Sequence, residues 1–424
     1  MNDIIIIGAG AAGLNAARIL SKAGKSVLVL ETRDRIGGRI HTAMKTPFSK
    51  PVETGAEFMH GKLPKTTALI EEARVGYRKG EGRMWSVEAG HLEEGGGFDN
   101  YWNDLIKALK KLDHDIPIAV FLTNYFPGDT YKDMRQSVTK FVQGFDAADP
   151  NKASAFALRE EWTSDEDLTG YHIIGGYSQL MNHLQKEAMN HGAVFHLAHE
   201  VSEIHWKKNE IKAITTKGKE FRAGSVIITI PPAVLKTSAL KFTPAIPEYA
   251  QAIQQIETGG VIKFLVEFHE AYWEKENAPL RYMPELHFLF SDATVPTWWS
   301  QQPDTTPLLT GWLSGPITAT VTKSEEELKD EAFESLAYLL NCDKDELKSK
   351  IKAMQVINWM KDPFSLGAYA YRTVDTPDAM KTLTKPVVGT IYFAGEAYYD
   401  GSEMGTVEAA LACGELRANE ILKA

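Results

Sequence analysis

The sequence predicts an α/β protein in which a Rossmann-like βαβ domain is interleaved with an α+β domain. Three observations carry that reading. A glycine motif lies between two short apolar segments at the N-terminus. A further apolar segment and a small-residue helix close the chain. Two excursions of amphipathic helices and alternating strands separate these ends. At 424 residues the chain can supply two packed cores.

The N-terminal elements justify the βαβ unit. Ile4 to Ile7 is an unbroken β-branched run, which suits a strand buried on both faces. Gly8, Gly10 and Gly13 follow as G-x-G-x-x-G. The first glycine permits a tight turn, the second lets backbone approach a pyrophosphate, and the third allows close helix–strand packing. Ala12, inside the motif, is counted with them as a cofactor contact. Leu14 to Ala23 predicts a helix whose start would face phosphate with unpaired N–H groups. Gly24 ends it and Ser26 to Leu30 predicts a second strand. Glu31 then stands where a ribose hydroxyl needs an acceptor. These features define a dinucleotide fold and leave NAD and FAD both open.

Arg33, Arg35, Gly37, Gly38 and Arg39 come next, spaced R-x-R-x-G-G-R. The glycine pair lets the backbone turn close to a ligand. Arg39 can give a charge-assisted contact to phosphate. A basic surface loop beyond an NAD site is the plain alternative, but such a site has no evident use for G-G-R here.

Following Glu31, this pattern resembles the flavin-containing amine oxidases, the group of monoamine oxidases, polyamine oxidases and flavin histone demethylases. The resemblance recurs in order in VETGAEFMHG, GGYSQLMNHL, VSEIHW with VIITIPPAVL, GGVIKFLVEF, WMKDPFSLGAY, FAGEA and MGTVEAAL. It implies the two-domain flavin amine oxidase fold. Residues 1–75, 170–255 and 355–424 would bind FAD, and 76–169 and 256–354 would form the substrate domain. The cofactor contacts it implies are Gly8, Gly10, Ala12, Gly13, Glu31, Arg33, Gly38 and Arg39. It adds Gly55, Ala56, Glu57 and Phe58 of the flavin-facing loop, Val201 on the adenine side, and Gly395, Glu396, Thr406 and Val407. FAD should be noncovalent, because Ala368 stands where the monoamine oxidases place a flavin-linking cysteine.

Lys263 resembles the family lysine that reaches flavin N5 through a water. Strand alternation puts it with Val261 and Leu265, opposite Ile262, Phe264 and Val266. A lysine among apolar neighbours is costly unless paired or wet, and an ion pair with Glu267 is the plain alternative. Trp359 resembles the tryptophan packed near the flavin, and Tyr369 the tyrosine beside the amine, whose ring face attracts it. Gly405, Thr406 and Val407 open the last helix, whose dipole would favour negative charge on the reduced flavin. Ala409, Ala410 and Gly414 are small enough to pack on the cofactor. His60 matches a histidine near the amine channel of the polyamine-oxidising branch. Thr406 also bears on substrate, since the monoamine oxidases have a second cage tyrosine there. Trp298, Trp299 and Trp312 could line the other wall or simply pack.

The resemblance implies oxidation of the C–H bond next to an amine nitrogen by hydride transfer to flavin N5. O2 then reoxidises the flavin to give H2O2, and the imine hydrolyses to an aldehyde. An L-amino-acid oxidase of the same fold would need an arginine for the carboxylate, and Arg83 or Arg281 could serve. A desaturase or porphyrinogen oxidase fits the Lys263 and Tyr369 pattern poorly. In a non-catalytic flavin-fold binding protein, G-G-R, Lys263 and Thr406-Val407 would be needless.

Composition sets limits. Hydrophobic residues at 44% and charged at 24% are ordinary for a globular protein. A net charge of −10 disfavours nucleic acid as a partner. No His/Cys cluster has metal-ligand spacing, and Cys342 and Cys413 make no disulfide framework. No run approaches the roughly 20 apolar residues of a membrane span. No apolar tail of the kind carried by membrane-anchored family members follows the last helix. A soluble, cytoplasmic protein acting on a small-molecule amine with O2 is expected, with its oligomeric state illegible.

Overall fold

The computed structural model describes residues 2–44, 46–61, 63–95, 101–164, 170–276 and 280–424. The expected boundary at 170 abuts residues 165–169, which lie outside the described residues.

Two sheets organise the chain. In the first, Val194–His196, Val27–Leu30, Asn2–Ile7, Glu220–Ile228 and Ile391–Phe393 run parallel in that order. The all-apolar runs 4–7, 27–30 and 226–228 are buried on both faces, as parallel strands require. Glu220–Ile228 also turns this sheet into an antiparallel meander with Glu210–Thr215 and Val201–Lys207. The turns fall where Asn209 and Gly218 adopt positive φ. The first helix is Ala11–Lys22, three residues earlier than Leu14, because Gly10 takes the N-cap position. The last helix, Val407–Lys423, packs against it.

The second sheet orders Ile351–Asn358, Val261–Phe268, Leu308–Ser314, Thr297–Trp299, Leu286–Ser291, Arg83–Glu88 and His91–Glu94. Ile351–Asn358 pairs with Val261–Phe268 along its length, so the expected boundary at 355 cuts one strand in two. The expected helices of the excursions form as Trp102–Lys111, Lys132–Gly144, Glu325–Leu340 and Lys344–Lys350. Ser324 starts Glu325–Leu340 with a capping box to Glu327. Within the segment bounded by Pro296 and Pro307, Thr297–Trp299 forms a strand of this sheet. Among the described residues no helix is long and apolar enough to cross a membrane.

Candidate active site

The carboxyl ends of the parallel strands build the nucleotide side. After Ile7, Gly8 turns at φ 107°, where a Cβ would lie 2.2 Å from Thr229 Oγ1 beyond the neighbouring strand. At Gly13 a Cβ would lie 2.1 Å from the Gly8 carbonyl, so helix and turn touch through backbone. Gly10 differs: a Cβ there would meet nothing within 4 Å. Gly10 caps the helix without a side-chain hydrogen bond, leaving first-turn N–H groups without an intrahelical acceptor. Glu31, buried at the end of the next strand, accepts from Ala9 N at 2.7 Å and Arg33 N at 2.9 Å. Burial raises its carboxyl, and those N–H bonds only partly offset this. Val201 opens the strand that follows His199, whose N–H bonds the Glu31 carbonyl. An open space over Gly10, uncapped helix N–H groups and a buried acid fit the pyrophosphate and ribose of a dinucleotide.

The two arginines fasten loops. Arg33 makes a bidentate pair with Asp362 at 2.9 and 2.6 Å and reaches Ser365 at 3.1 Å. Arg39 Nη1 donates to Glu396 at 2.7 Å and to the Ala368 carbonyl at 2.5 Å. Both were expected on the cofactor, yet these contacts clamp 362–368 and 396 onto the G-G-R segment. Glu396 also accepts from Ala370 N at 3.3 Å. Gly38 lies beside Gly10, its would-be Cβ 3.6 Å from the Gly10 Cα.

Lys263 sits in a strand buried along its whole length. Ile262, Phe264, Val266 and Phe268 enter the core behind the second sheet, and Val261 on the other face packs near Trp359. Lys263 is 1% exposed and donates to Glu57 at 2.6 Å and to the Gly55 carbonyl at 3.2 Å. Its ammonium lies 5.8 Å from the Trp299 ring centroid. Glu267, the alternative partner, instead accepts from Ser49 and Lys352. Glu57 also accepts from Trp299 Nε1 at 3.1 Å and Gln301 Nε2 at 3.2 Å, with His172 Nδ1 at 3.9 Å. Burial pushes the Glu57 carboxyl up, but Lys263, His172 and the Trp299 bond together outweigh it and hold the group below its usual range.

The loop 54–58 is pressed between these parts. A Cβ on Gly55 would lie 1.9 Å from the Arg39 carbonyl and 3.2 Å from Trp359 Cζ2. Trp359 Nε1 donates to the Thr54 carbonyl at 3.1 Å, and Ala56 N to the Arg39 carbonyl at 3.2 Å. The Phe58 ring centroid lies 4.5 Å from that of His172 and 5.3 Å from that of His60.

On the far side, Tyr369 Oη donates to the Phe145 carbonyl at 2.6 Å. The Phe145 ring meets His60 edge-on at 5.4 Å, so Tyr369 and His60 share one neighbour. A Cβ on Gly405 would lie 3.6 Å from Tyr369 Cδ2, which brings Tyr369 to the start of the last helix. There Thr406 caps the helix: its hydroxyl accepts from Ala409 N at 3.1 Å and donates to the Glu403 carbonyl at 2.7 Å. Val407 is the first helical residue. Gly395 precedes Glu396 at φ 152°. Gly414 was expected against the cofactor, but its would-be Cβ lies 2.3 Å from the Ala12 carbonyl. It therefore serves the crossing of the first and last helices. Of the tryptophans, Trp298 is core, packed on Phe264 and bonded to the Val295 carbonyl. Trp299 and Trp312 lie 5.7 Å apart on the Lys263 side.

Sequence reasoning missed Asp146 and Glu161. Asp146 follows Phe145, and Glu161 lies on the helix Ala155–Trp162. Each leaves one buried carboxyl oxygen without a partner, Oδ2 and Oε1. Burial raises both groups, Glu161 to about 7, and the neighbouring Glu161 raises Asp146 further. Burial also raises the Tyr369 phenol, reinforced by these two charges. No local motif marks such a pair, because a helix packed from another part of the chain completes it.

A family model described as flavin containing amine oxidoreductase matches residues 11–81 and 99–422. The chain belongs to that family: it is a flavin-dependent oxidoreductase acting on CH–NH groups, a flavin amine oxidase whose cofactor is FAD and whose substrates are small-molecule amines and O2. Polyamine oxidase 2 of Arabidopsis thaliana is 28% identical over 456 residues, covering 99% of this chain and 87% of its own length. Flavin-containing amine oxidase A of Equus caballus is 26% identical over 477 residues, covering 100% of this chain and 85% of its own. Wild-type putrescine oxidase bound to putrescine superposes with a TM-score of 0.81 at 20% identity, covering 100% of this chain and 99% of that one. Cyclohexylamine oxidase from Brevibacterium oxydans IH-35A gives 0.79 at 19%, covering 100% of both chains. These superpositions establish the two-domain α/β fold.

Proposed function

We propose that this amine oxidase acts on a cationic amine, with a polyamine or secondary amine favoured over an L-amino acid, and holds FAD noncovalently. The supporting observation is the wall at Phe145. Tyr369 and His60 meet there, and beside it stands the Asp146–Glu161 pair, each with a buried carboxyl oxygen that has no partner. An ammonium group suits that surface, and a substrate carboxylate does not. The arginines that an amino-acid oxidase could have used lie elsewhere. Arg83 pairs with Glu94 and Glu285 at the surface, and Arg281 holds the carbonyls of Gly90 and Leu339.

Bound FAD would supply the two-electron acceptor for the hydride next to nitrogen, and O2 would restore it with release of H2O2. The chain's own residues prepare the amine. Tyr369, fixed by the Phe145 carbonyl, offers a ring face to the nitrogen. Trp359, Trp312 and Val261 pack together and exclude water, which favours loss of the amine proton before oxidation. Lys263 donates to Glu57 and Gly55, which leaves one N–H to hold a water. Ala368 offers no thiol for a covalent link.

Anaerobic flavin bleaching against spermidine, putrescine, aromatic monoamines and L-amino acids tests the reading. Reduction by one or more of the amines is expected. Reduction by amino acids alone would overturn it.

A further inference from the structure

Lys263 and Glu57 form a nearly sealed ion pair, 1% and 6% exposed at their side chains, joining residues 206 apart in the chain. Glu57 is held from every side: Lys263 on one oxygen, Trp299 and Gln301 on the other, His172 a little beyond. A carboxylate with donors on both oxygens has a fixed position, and so does the cation bonded to it. A unit charge beside another of opposite sign also projects only a dipole, whose field falls off faster than that of a lone charge.

We propose that Glu57 is the positioning counter-ion of Lys263. It pins the ammonium and cancels its net charge, so that Lys263 serves the flavin side as a directed N–H donor and not as a free positive charge. This rests on Lys263 facing the flavin ring, as read above. The other titratable groups around the pair are Glu53, which burial raises to about 7, and His172, which burial keeps lowered.

The test is the affinity of bound FAD for sulfite, read from bleaching of its visible absorbance between pH 6 and 9.5. It compares the wild-type holoenzyme, Glu57→Gln, Lys263→Met and the double variant. Glutamine keeps a group able to meet Trp299 and removes only the charge. In Glu57→Gln the lysine is an unbalanced cation at low pH and sheds its proton as pH rises, because nothing repays its burial. Sulfite should therefore bind roughly tenfold more tightly than in wild type at the acid end, and the gap should close toward the alkaline end. The double variant should show no such gap. Glu53 feels both Lys263 and Glu57, so its titration shifts with each substitution, and the double variant carries that background.

A Glu57→Gln ratio that stays flat with pH, or a gap that persists in the double variant, overturns the counter-ion role. If Lys263→Met leaves sulfite affinity at the wild-type level throughout, the lysine does not face the ring and the underlying reading fails instead. Should Glu57→Gln not accumulate folded, thermal melting carries the test. The double variant, free of an unbalanced charge, should recover FAD and stability, and no recovery overturns the proposal.

Discussion

Gly414→Ala sets two effects of opposite sign against each other. Gly414 lies inside the last helix, where alanine is favoured over glycine by about 1 kcal/mol. Its new methyl would stand 2.3 Å from the Ala12 carbonyl oxygen and 3.0 Å from the Ala12 Cα and carbonyl carbon. All three are backbone atoms, so no rotamer change relieves the clash. The two helices must separate by about 1 Å for the shortest contact to pass the 3.4 Å at which ordinary contact begins. Overpacking of that kind costs about 1–3 kcal/mol, so the clash wins and the net loss is about 1 kcal/mol. Ala12 belongs to the first turn of the helix whose N–H groups face the space over Gly10. The displacement should therefore also loosen FAD. Thermal melting of the variant with and without added FAD, and the flavin-to-protein ratio after gel filtration, measure both effects. A variant more stable than wild type with a full complement of FAD would refute the reasoning.

Three further outcomes are expected. Glu161 has a folded value of about 7 against an ordinary 4.5, so its protonated form stabilises the fold fully below pH 4.5, and that contribution is lost as pH rises through 7. Glu161→Gln should flatten the decline in melting temperature across that window, and an unchanged pH profile would count against the pair. Arg33→Ala should cost about 1–3 kcal/mol in denaturant unfolding, by stranding a half-buried Asp362. Burial raises Asp362, but Arg33, with the Phe364 N–H and Ser365, outweighs it and holds the group low, so the wild-type advantage should vanish as pH falls below the ordinary carboxylate range. Lys263→Met should slow reoxidation by O2 more than reduction by amine in stopped-flow measurements. Equal effects on both half-reactions would remove the lysine from the oxygen step.

The nucleotide side was legible because its chemistry is local. Gly8, Gly10, Gly13 and Glu31 occupy one βαβ unit, where Gly8 makes the expected turn, Gly13 the expected close packing, and Glu31 stands buried at the strand end, bonded to the Ala9 and Arg33 N–H groups. The charged contacts were not, because strand register decides them. Glu267 is two residues from Lys263, yet it serves Ser49 and Lys352, while the partner comes from a loop 206 residues away. Arg33 and Arg39 were expected on the cofactor, and their carboxylate partners Asp362 and Glu396 could not be read from the motif. Thr406 carried a signal that went unused: a threonine just before a helix is first a cap. Trp298 and Trp299 show the limit of composition, since strand alternation sends one into the core and the other toward Lys263.

Lys263 to Glu57 and Arg33 to Asp362 join the second sheet or its loops to the nucleotide side, while Lys352 to Glu267 links paired strands of the second sheet beside Ser49. A buried pair gains little net stability over apolar packing, because both charges must leave water. Direction is what it adds. An apolar surface tolerates sliding by a fraction of an ångström, whereas a carboxylate with donors on both oxygens tolerates very little. The reaction demands that sort of tolerance, since a reacting carbon must sit within about 3–3.5 Å of its acceptor. The nucleotide is gripped through the backbone of the first sheet's turns, and Lys263 and Trp312 belong to the second sheet. Only a contact that fixes one sheet against the other can hold both sides of the reaction in place, and the Lys263–Glu57 pair lies at that junction.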